Sequence, residues 1–599
     1  PPRSTLFPYT TLFRSEAEKL ISIFGQENDT GTAGLARMNM ILHNNPTAVI
    51  KQGNTLSNPL FLDENSRIKT FDFVVSNPPF SFKSWSNGVN IPEELKESGR
   101  FYGYGVPPSK NGDYAFLLHV VKSLKSKGKG AVILPHGVLF RGNAEAEIRQ
   151  NLIRKGIIKG IIGLPANLFY GTGIPACIIV LDKENAENRK GIFMIDAGKG
   201  FIKDGNKNRL REQDIHKIVD VFNKQIEIPK FSRMVSVTEI EDKEFNLNIP
   251  RYIDSTEPED IQNIEAHLLG DIPNADIDAL QNYWIVYPSL KKHLFDKSKR
   301  ANFSALKITH DQIKHSIFSH PEFTAYSEKV NEVFNIWKNK NTVSCNNLSS
   351  ETKPKKFIHT LSEDLLQTFS NLQLIDKYDV YQHLMNYWME TMQDDCYLIV
   401  ADGWASGNEI EWTKKEYEGK LIPKQLLIKH YFEKEQTLIE KLEANKETIA
   451  AQLTEMEEEH SSEDGFFEDF EKVNKLTVQK RLNELNANAK KKKEHTISPA
   501  KSSIAAEPNS EYTTSNNEKK ILELYLKLID EQSELNKKIK DHKAELDSKL
   551  KEKYKALTEA EIKTMVVNNK WMASIEQSVK TEMQRISQRL TQRIKELAE

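Results

Sequence analysis

Short apolar runs alternate with helical stretches between residues 21 and 195, and this alternation constrains the possible folds more than any other feature. Such a pattern predicts an α/β domain with a mostly parallel sheet and helices on both of its faces. Two apolar runs late in this region have no helix between them, which predicts that the sheet closes with an antiparallel hairpin. The predicted strands are Ile21–Phe24, Ala48–Lys51, Phe71–Val75, Ala131–Leu134, Ile157–Leu164, Ala176–Leu181 and Ile192–Ile195. The predicted helices are Ala33–His43, Asp113–Ser126 and Ala144–Lys155.

Beyond about Pro250, turn residues become rare and Lys, Glu, Leu and Gln dominate, so this half is predicted to be mainly helical. Ile375–Trp404 is rich in aromatic residues and is predicted to build a small second core. A seam with heptad spacing follows a polar stretch, which favours a paired helix. Its positions are Ile521, Tyr525, Leu528, Gln532, Leu535, Ile539, His542 and Leu546. The charged block Leu421–Glu459 is a candidate to pair with that seam.

Composition excludes several classes of protein. With 38% hydrophobic and 28% charged residues, no run approaches the ~18 apolar residues that a membrane span requires. The formal net charge of -2 means that any grip on a polyanion must be local or come from a partner. Three cysteines lie far apart, and the steps of five between His310, His315 and His320 turn the rings to different helix faces. We therefore expect no metal site and a cytoplasmic protein.

One motif carries recognisable chemistry. An apolar strand ends in Asn77-Pro78-Pro79-Phe80, and ligands of α/β sheets bind at the carboxyl ends of such strands. The exocyclic amine of adenine is a poor nucleophile, because its lone pair is delocalised into the ring. The Asn77 amide oxygen and the Pro78 carbonyl can accept hydrogen bonds from that amine, the prolines stiffen the loop, and Phe80 can stack on an extruded base. The same residues are also typical of a plain strand-terminating turn.

The hexapeptide Val75–Phe80 resembles the catalytic motif of amino-group DNA methyltransferases. Other segments resemble successive blocks of the modification subunits of type I restriction-modification systems. These segments are Gly25–Glu27, Leu35–Met40, Leu134–Phe140, Leu164–Gly173 and Asn246–Tyr252. The resemblance extends from about Glu16 to the end of the chain, since the helical half also resembles the C-terminal extension of some members.

The resemblance implies a Rossmann-like methyltransferase sheet with helices on both faces, followed by a long, mainly α-helical C-terminal region with coiled-coil character. It implies methylation of adenine N6 with S-adenosylmethionine as cofactor. Partners implied are double-stranded DNA, a specificity subunit, a restriction subunit and a second copy of the modification subunit, with no membrane. Basic residues that would touch DNA are scattered, and we expect them at the solvated surface. They are Lys83, Arg100, Lys110, Arg141 and Arg149.

The resemblance also assigns site residues. Asn77, Pro78, Pro79 and Phe80 are the expected catalytic residues. Glu27 is expected to bind the ribose hydroxyls of the cofactor, as an acid at the end of a strand in such a fold usually does. Asn54 stands where the family carries an acidic residue near the cofactor adenine, and its side chain can still form hydrogen bonds.

On this basis we divide the chain into six parts. They are a segment interpreted as foreign at 1–15, a methyltransferase domain at 16–253, a helical domain with an aromatic-rich core at 254–420, charged helices at 421–488, a disordered linker at 489–519 and coiled-coil-like helices for subunit contact at 520–599. The run Lys490–Lys493 and its Ser, Pro and Asn neighbours are typical of a linker.

Two other functions fit the motif. One is an N-methyltransferase that acts on RNA or on a glutamine side chain, because these planar amines suit the same loop. The glutamine enzymes are usually shorter chains with Tyr after the prolines, whereas this chain has Phe80. The other is a catalytically inactive fragment that serves only as a helical scaffold.

We expect this chain to bind S-adenosylmethionine weakly or not at all. A nucleotide site of this kind needs a glycine-rich turn about 20 residues before the ribose acid. Counting back from Glu27 reaches Phe7–Thr10, which contains no glycine, so we interpret the chain as truncated, without the first strand and the glycine loop. Calorimetric titration measures this directly, and micromolar binding would contradict the interpretation.

Overall fold

A six-stranded mixed sheet organises the N-terminal half of the protein. The computed structural model describes residues 21–256, 263–414, 416–462, 465–494 and 510–599, so the segment 1–15 interpreted as foreign lies outside the described residues. The strands of this half are β1 (Phe24–Glu27), β2 (Val49–Gln52), β3 (Phe71–Ser76), β4 (Leu124–Pro135), β5 (Ile158–Gly163), β6 (Ala176–Asp182), β7 (Gly191–Asp196), β8 (Ile202–Asp204), β9 (Lys207–Arg209) and β10 (Ser232–Ser236). Its helices are α1 (Thr30–Leu42), α2 (Ile91–Glu94), α3 (Asp113–Lys122), α4 (Ala144–Arg154), α5 (Glu212–Lys224) and α6 (Val237–Asp242).

The order of strands in the sheet is β10-β7-β5-β6-β4-β3. Strand β3 runs parallel to β4, and β5 runs parallel to β7. Between them β6 is antiparallel to both β4 and β5, with Ile161 opposite Ile179, which is the predicted hairpin. Strand β10 adds an antiparallel edge. Among the described residues, β1 and β2 form a separate parallel pair, in which Glu27 lies opposite Gln52.

Alternate side chains of the strands fill two cores on opposite faces of the sheet. On β5, Ile161 belongs to one core and Ile162 to the other. Helices α3 and α4 supply Leu117 and Ile148 to the first core, whereas α5 supplies Ile218 to the second. The protein therefore has the predicted α/β sheet with helices on both faces.

Several element boundaries differ from the sequence prediction. Strand β1 begins three residues later than predicted, at Phe24 instead of Ile21. The predicted helix Asp113–Ser126 ends at Lys122, because Leu124 starts β4 and is buried in the sheet core. The polar strands β8 and β9 were not predicted, since their sequence lacks the apolar alternation that marks a strand.

The second half is mainly helical, as predicted. Its helices are α7 (Ile264–Leu269), α8 (Asn274–Asp278), α9 (Gln281–Val286), α10 (Pro288–Leu294), α11 (Gln312–Phe318), α12 (Pro321–Asn346), α13 (Pro354–Thr368), α14 (Lys377–Tyr387), α15 (Gln393–Asp402), α16 (Lys424–Tyr431), α17 (Glu433–His460), α18 (Lys475–Glu494), α19 (Ser510–Ala556), α20 (Glu559–Lys563) and α21 (Ala573–Ala598). Short strands interrupt them, namely β11 (Ile272–Pro273), β12 (Phe295–Lys297), β13 (Phe303–Leu306), β14 (Ile410–Thr413) and β15 (Glu416–Gly419). This half also contains two π-helical segments, Trp388–Met392 and Thr564–Met572.

The chain divides into two units. The first contains the described parts of Pro1–Asn335, with Lys355–Asn386 and Ser578–Glu599. Within it, Asp379 of α14 accepts hydrogen bonds from Gln213 of α5 at 2.7 Å and from Arg585 of α21 at 2.9 Å. The C-terminal helix is thus fastened to the helical layer beside the sheet.

The second unit contains Ile336–Pro354 and the described parts of Tyr387–Gln577. In its core the buried Asp395 carboxylate accepts hydrogen bonds from Lys570 Nζ at 2.6 Å and Trp571 Nε1 at 2.8 Å. Trp404 is also buried and donates to the Leu348 carbonyl at 3.1 Å. The aromatic-rich stretch Ile375–Trp404 therefore does build cores, but it is divided between the two units.

Helices α17 and α19 pair in antiparallel fashion. Lys549 lies 3.4 Å from Glu435 near one end of the pair, and Lys543 lies 2.6 Å from Glu443 farther along. The heptad positions Tyr525, Leu528, Ile539 and Leu546 are buried. The predicted seam is therefore covered by the charged block of the same chain.

The predicted linker 489–519 is only partly described. Residues 489–494 end α18 and residues 510–519 begin α19, so these flanks are helical, and 495–509 lie outside the described residues. In the described ranges, no helix has the length and apolarity that crossing a membrane requires.

We expect Gly160→Ala to destabilise the sheet. A Cβ atom there would lie 2.4 Å from the Phe222 ring and 2.7 Å from the Phe193 carbonyl oxygen, so β5 or α5 must shift. Overpacking of this kind costs about 1–3 kcal/mol of unfolding free energy, which urea denaturation measures. Gly142→Ala is the matched control, since nothing lies within 4 Å of its Cβ position. Equal stability of the two variants would contradict the packing described for β5.

Candidate active site

The Asn-Pro-Pro-Phe loop, residues 77–80, begins directly after β3. The parallel strands β3, β4, β5 and β7 end at one edge of the sheet, so the segments that follow them share this edge with the loop. Asn77 is exposed, Pro78 is buried and Pro79 is exposed. Within the described ranges the Asn77 amide makes no hydrogen bond, so its oxygen is available to a ligand. The loop is thus an anchored, outward-facing corner.

Phe80 faces a second aromatic residue that was not among the predicted site residues. Its ring packs edge-on against Phe169, with centroids 5.8 Å apart and planes at 77°. Phe169 belongs to the aromatic loop, residues 165–175, which connects β5 to β6. The position of this loop after a parallel strand, together with its aromatic pair Phe169-Tyr170, is the signal that could have identified it.

A buried carboxylate fixes the turn after Phe80. Asp113, the first residue of α3, is fully buried and accepts a hydrogen bond from the Ser81 backbone N–H at 2.7 Å. Ser81 has a positive φ of 50°, a strained conformation that this contact helps to hold. The second oxygen of Asp113 accepts from Arg141 at 2.9 Å, and Arg141 also lies 3.2 Å from Glu145. A charged network behind the loop therefore sets its path.

The basic residues are placed differently from the prediction. Arg100 is only 2% exposed and pairs with Glu94, and Arg149 is also 2% exposed. The Arg149 guanidinium donates to the carbonyls of Val138, Arg141 and Phe245. Arginine is suited to such sites because its fixed fork of donors can satisfy several carbonyls. The prediction of a solvated surface role is wrong for these two residues.

Arg141 is partly exposed and is committed to the Asp113 network. Lys83 and Lys110 are exposed, as predicted. A further titratable group lies at the same edge, where His136 follows β4. Its Nε2 is buried without a hydrogen-bond partner in the described part of the chain, and burial lowers the pKa of the ring. His136 is therefore neutral at pH 7.

The two residues expected to bind the cofactor lie at the ends of adjacent parallel strands. The Gly53 N–H donates to the Glu27 carbonyl at 2.8 Å, which brings Asn54 beside the end of β1. One oxygen of the Glu27 carboxylate accepts from the Asp29 N–H at 2.9 Å. Its other oxygen has no partner in the described ranges, so it fits a hydroxyl donor such as a ribose. The residues present thus suit the ribose end of a nucleoside cofactor.

Asn54 has a structural task that the sequence did not reveal. Its side-chain oxygen accepts hydrogen bonds from the backbone N–H groups of Leu56 and Ser57, at 2.9 and 3.2 Å. This is an Asx-type turn that fixes the segment after β2. Only the amide nitrogen of Asn54 is left for a ligand, which can donate a hydrogen bond but not accept one.

Aromatic side chains fasten the β1–β2 pair to the rest of the first unit. The rings of Phe24 and Phe71 have centroids 5.4 Å apart, and Phe61 packs edge-on against Phe24 at 5.5 Å. Arg100 adds a hydrogen bond to the Leu56 carbonyl at 2.7 Å. The strand ends that carry Glu27 and Asn77 therefore belong to one connected assembly.

Residues 7–261 match the family described as N-6 DNA Methylase. These residues are therefore similar to the N-6 DNA methylase family. The methylase subunit of the type I restriction enzyme MpnII of Mycoplasma pneumoniae is 34% identical over 258 residues, which cover 42% of this chain and 47% of that protein. The methylase subunit of the type I restriction enzyme HindI of Haemophilus influenzae is 32% identical over 250 residues, covering 40% and 54%.

A crystal structure of the type I restriction-modification system methyltransferase subunit from Streptococcus thermophilus is also similar to the methylase segment. It is 41% identical, covers 39% of this chain and 48% of that chain, and has a TM-score of 0.35. The chain spans about half the length of the curated relatives it matches.

We expect Asp113→Ala to loosen the Asn-Pro-Pro-Phe loop and destabilise the domain. The change leaves the Ser81 N–H without its acceptor and removes one partner of Arg141, which costs about 2–4 kcal/mol of unfolding free energy. Urea denaturation measures the loss, and hydrogen exchange at Ser81 reports the loop.

Asp72→Ala is the control for this change. Asp72 lies on β3 itself, but its ion pair with Lys125 is solvent-exposed and is worth at most about 1 kcal/mol. An Asp113 variant no less stable than the Asp72 variant would show that the buried carboxylate does not hold the loop.

Proposed function

We propose that this chain is the modification subunit of a type I restriction-modification system, which transfers a methyl group from S-adenosylmethionine to the N6 amine of adenine in duplex DNA. The observation that carries the proposal is the exposed Asn77 amide beside the Phe80–Phe169 pair, at the carboxyl edge of an N-6 DNA methylase sheet. The matched relatives are named as methylase subunits of type I restriction enzymes.

In this proposal the Asn-Pro-Pro-Phe loop prepares the amine for attack. The Asn77 side-chain oxygen and the Pro78 carbonyl accept hydrogen bonds from the two N–H groups, which favours a pyramidal nitrogen with an available lone pair. Pro78 and Pro79 restrict the backbone, so these acceptors need little reorganisation when the base arrives. The stiffness of the corner supports this role.

Adenine must leave the duplex before its amine can reach this corner, and the aromatic pair suits that requirement. The rings of Phe80 and Phe169 pack at 77° with 5.8 Å between their centroids, and the base is proposed to stack on Phe80 beside Phe169. Aromatic groups in offset or edge-on arrangements attract each other, so the extruded base gains part of the stacking that it lost. Phe169 is therefore a proposed base-contacting residue together with the predicted four.

The cofactor of the proposal is S-adenosylmethionine, which supplies an electrophilic methyl group when bound. Glu27 is the residue of this chain placed to accept hydrogen bonds from its ribose, through the carboxylate oxygen that Asp29 leaves unused. Asn54 is proposed to donate to the cofactor adenine through its amide nitrogen, since its oxygen is engaged in the turn.

The proposed partners are duplex DNA, a specificity subunit, a restriction subunit and a second modification subunit. The coiled-coil-like region 520–599 remains the proposed subunit-contact region. Its heptad seam is buried against α17 of the same chain, so a partner must contact the outer, charged faces of the pair. An interface of that kind is sensitive to salt, because exposed charges are screened.

We expect Asn77→Ala to slow methyl transfer and to leave DNA binding unchanged, with S-adenosylmethionine supplied in excess because this chain is expected to bind it weakly. Without the amide oxygen one acceptor for the amine is lost, and loss of one such polar contact typically costs a factor of about 100 to 1000 in rate. Transfer of labelled methyl groups from S-adenosylmethionine to duplex DNA, measured in the complex with the specificity subunit, tests this expectation.

Asn65→Ala, on an exposed turn, is the matched control and should keep full activity. Labelled RNA or a glutamine-containing peptide as acceptor tests the alternative N-methyltransferases. The proposal fails if neither the parent chain nor Asn77→Ala methylates any acceptor, while both support the same cellular and assembly functions. The protein would then be a scaffold.

A further inference from the structure

The aromatic loop is held by a hairpin that nothing in the proposed reaction uses. The short strands β8 and β9 pair in register, with Ile202 opposite Arg209 and Asp204 opposite Lys207. Strand β9 contacts the aromatic loop through Lys207 and Asn208. The hydrogen-bond partners of these side chains lie 35 to 42 residues away along the chain. The hairpin is therefore a brace for the segment that carries Phe169.

Lys207 is the centre of this brace. Its ammonium group donates to the Asn167 side-chain oxygen at 3.0 Å, the Phe169 carbonyl at 2.8 Å and the Thr172 carbonyl at 3.1 Å. An ammonium group has three N–H donors, so all three are committed to the aromatic loop. The three acceptors are neutral oxygen atoms, and no N–H of the ammonium group remains for a phosphate. The lysine therefore acts as a three-point clamp.

A second set of bonds holds the base of the loop independently of this ammonium. Asn208 donates from its backbone to the Asn167 carbonyl at 3.0 Å and from its side chain to the Ala166 carbonyl at 2.7 Å. The Asn167 side chain donates to the Asn206 carbonyl at 2.6 Å. The start of the loop thus stays attached without Lys207, whereas in the described part of the chain the hydrogen bonds of Phe169 and Thr172 to the hairpin come from the lysine.

Phe169 also packs against the second core of the sheet, and the Asn167 N–H donates to the Gly173 carbonyl at 3.2 Å. Residues 170–173 between them have little other support. Tyr170 is 93% exposed, and a Cβ atom at Gly171 or Gly173 would meet nothing within 4 Å. The Phe169 ring nevertheless stands edge-on to Phe80. Because the clamp grips the carbonyl of Phe169 itself, it restricts the backbone from which that ring projects.

We propose that Lys207 is a positioning residue for the target base: its ammonium clamps the aromatic loop so that Phe169 stands against Phe80 and the pair accepts an extruded nucleobase. This inference rests on the proposed function, because it names how the same site is kept ready. Lys207 touches neither base nor phosphate and acts through Phe169.

The test uses the full chain and a duplex oligonucleotide that carries one 2-aminopurine opposite an abasic site, so that no target sequence is needed. We expect the parent chain to change the emission of the probe by about fivefold as the base enters the aromatic site. Lys207→Met, close in size but without the ammonium, should lose most of that change, while its affinity for the duplex falls by less than about threefold. Lys207→Arg should restore part of the signal.

Lys203→Met is the matched control. Lys203 lies on β8 of the same hairpin, is exposed, and has its ammonium nitrogen 5.7 Å from the centroid of the Phe201 ring. It should keep the full emission change. Circular dichroism of the three variants checks that the sheet is folded. If Lys207→Met does not fold, Lys207→Arg still tests the clamp.

The outcomes separate the two proposals. If the parent chain responds and Lys207→Met responds equally, the clamp is refuted while the base site stands. If Lys207→Met keeps the emission change but lowers the salt dependence of binding by about one unit, Lys207 is a phosphate contact, and the proposal is wrong. If the parent chain does not change the emission, or if Phe80→Ala changes it equally, the base-accepting site is refuted. The proposed role of Lys207 is then refuted as well.

Discussion

The buried carboxylate of Asp113 is the contact on which the geometry of the site depends. One oxygen receives the Ser81 N–H, just past the Asn-Pro-Pro-Phe loop, and the other receives Arg141, which follows β4. Burial also raises the pKa of Glu145, the third member of this network. A charge in a protein interior is unfavourable unless an opposite charge pairs with it. Removal of one of the three residues would therefore leave the others with uncompensated buried charge. The loop is therefore oriented by groups that never touch a substrate.

The local part of the site could be predicted from sequence, and the tertiary part could not. The strand before Asn77 contains the apolar run Phe73–Val75, and the diproline that follows restricts the backbone by itself, so both signals lie within a few residues. Phe169 and Lys207 are linked by a contact across 38 positions, which no periodicity reveals. Composition also misled the placement of Arg100 and Arg149, because a buried arginine with carbonyl acceptors has the same sequence signature as a solvated one.

The helical half shows the same division. The heptad spacing predicted that α19 pairs with another helix, since a stripe of apolar side chains must be covered. Antiparallel pairing with α17 is the result, with ion pairs such as Lys543–Glu443 along its flank. The boundaries were less predictable, because lysine-rich sequence is compatible with both an exposed helix and an unstructured linker. Helix α18 extends to Glu494, into the segment predicted to be disordered.

A separate apolar cluster lies along α17, α18 and the first part of α19, with Phe467, Val478 and Tyr525 in its centre. Helix α17 has 28 residues, which corresponds to a rod of about 42 Å. The cluster shares no residue with the two cores of the sheet. Opening of this cluster would therefore expose no side chain of the sheet cores, which is the condition for local unfolding that leaves the sheet intact.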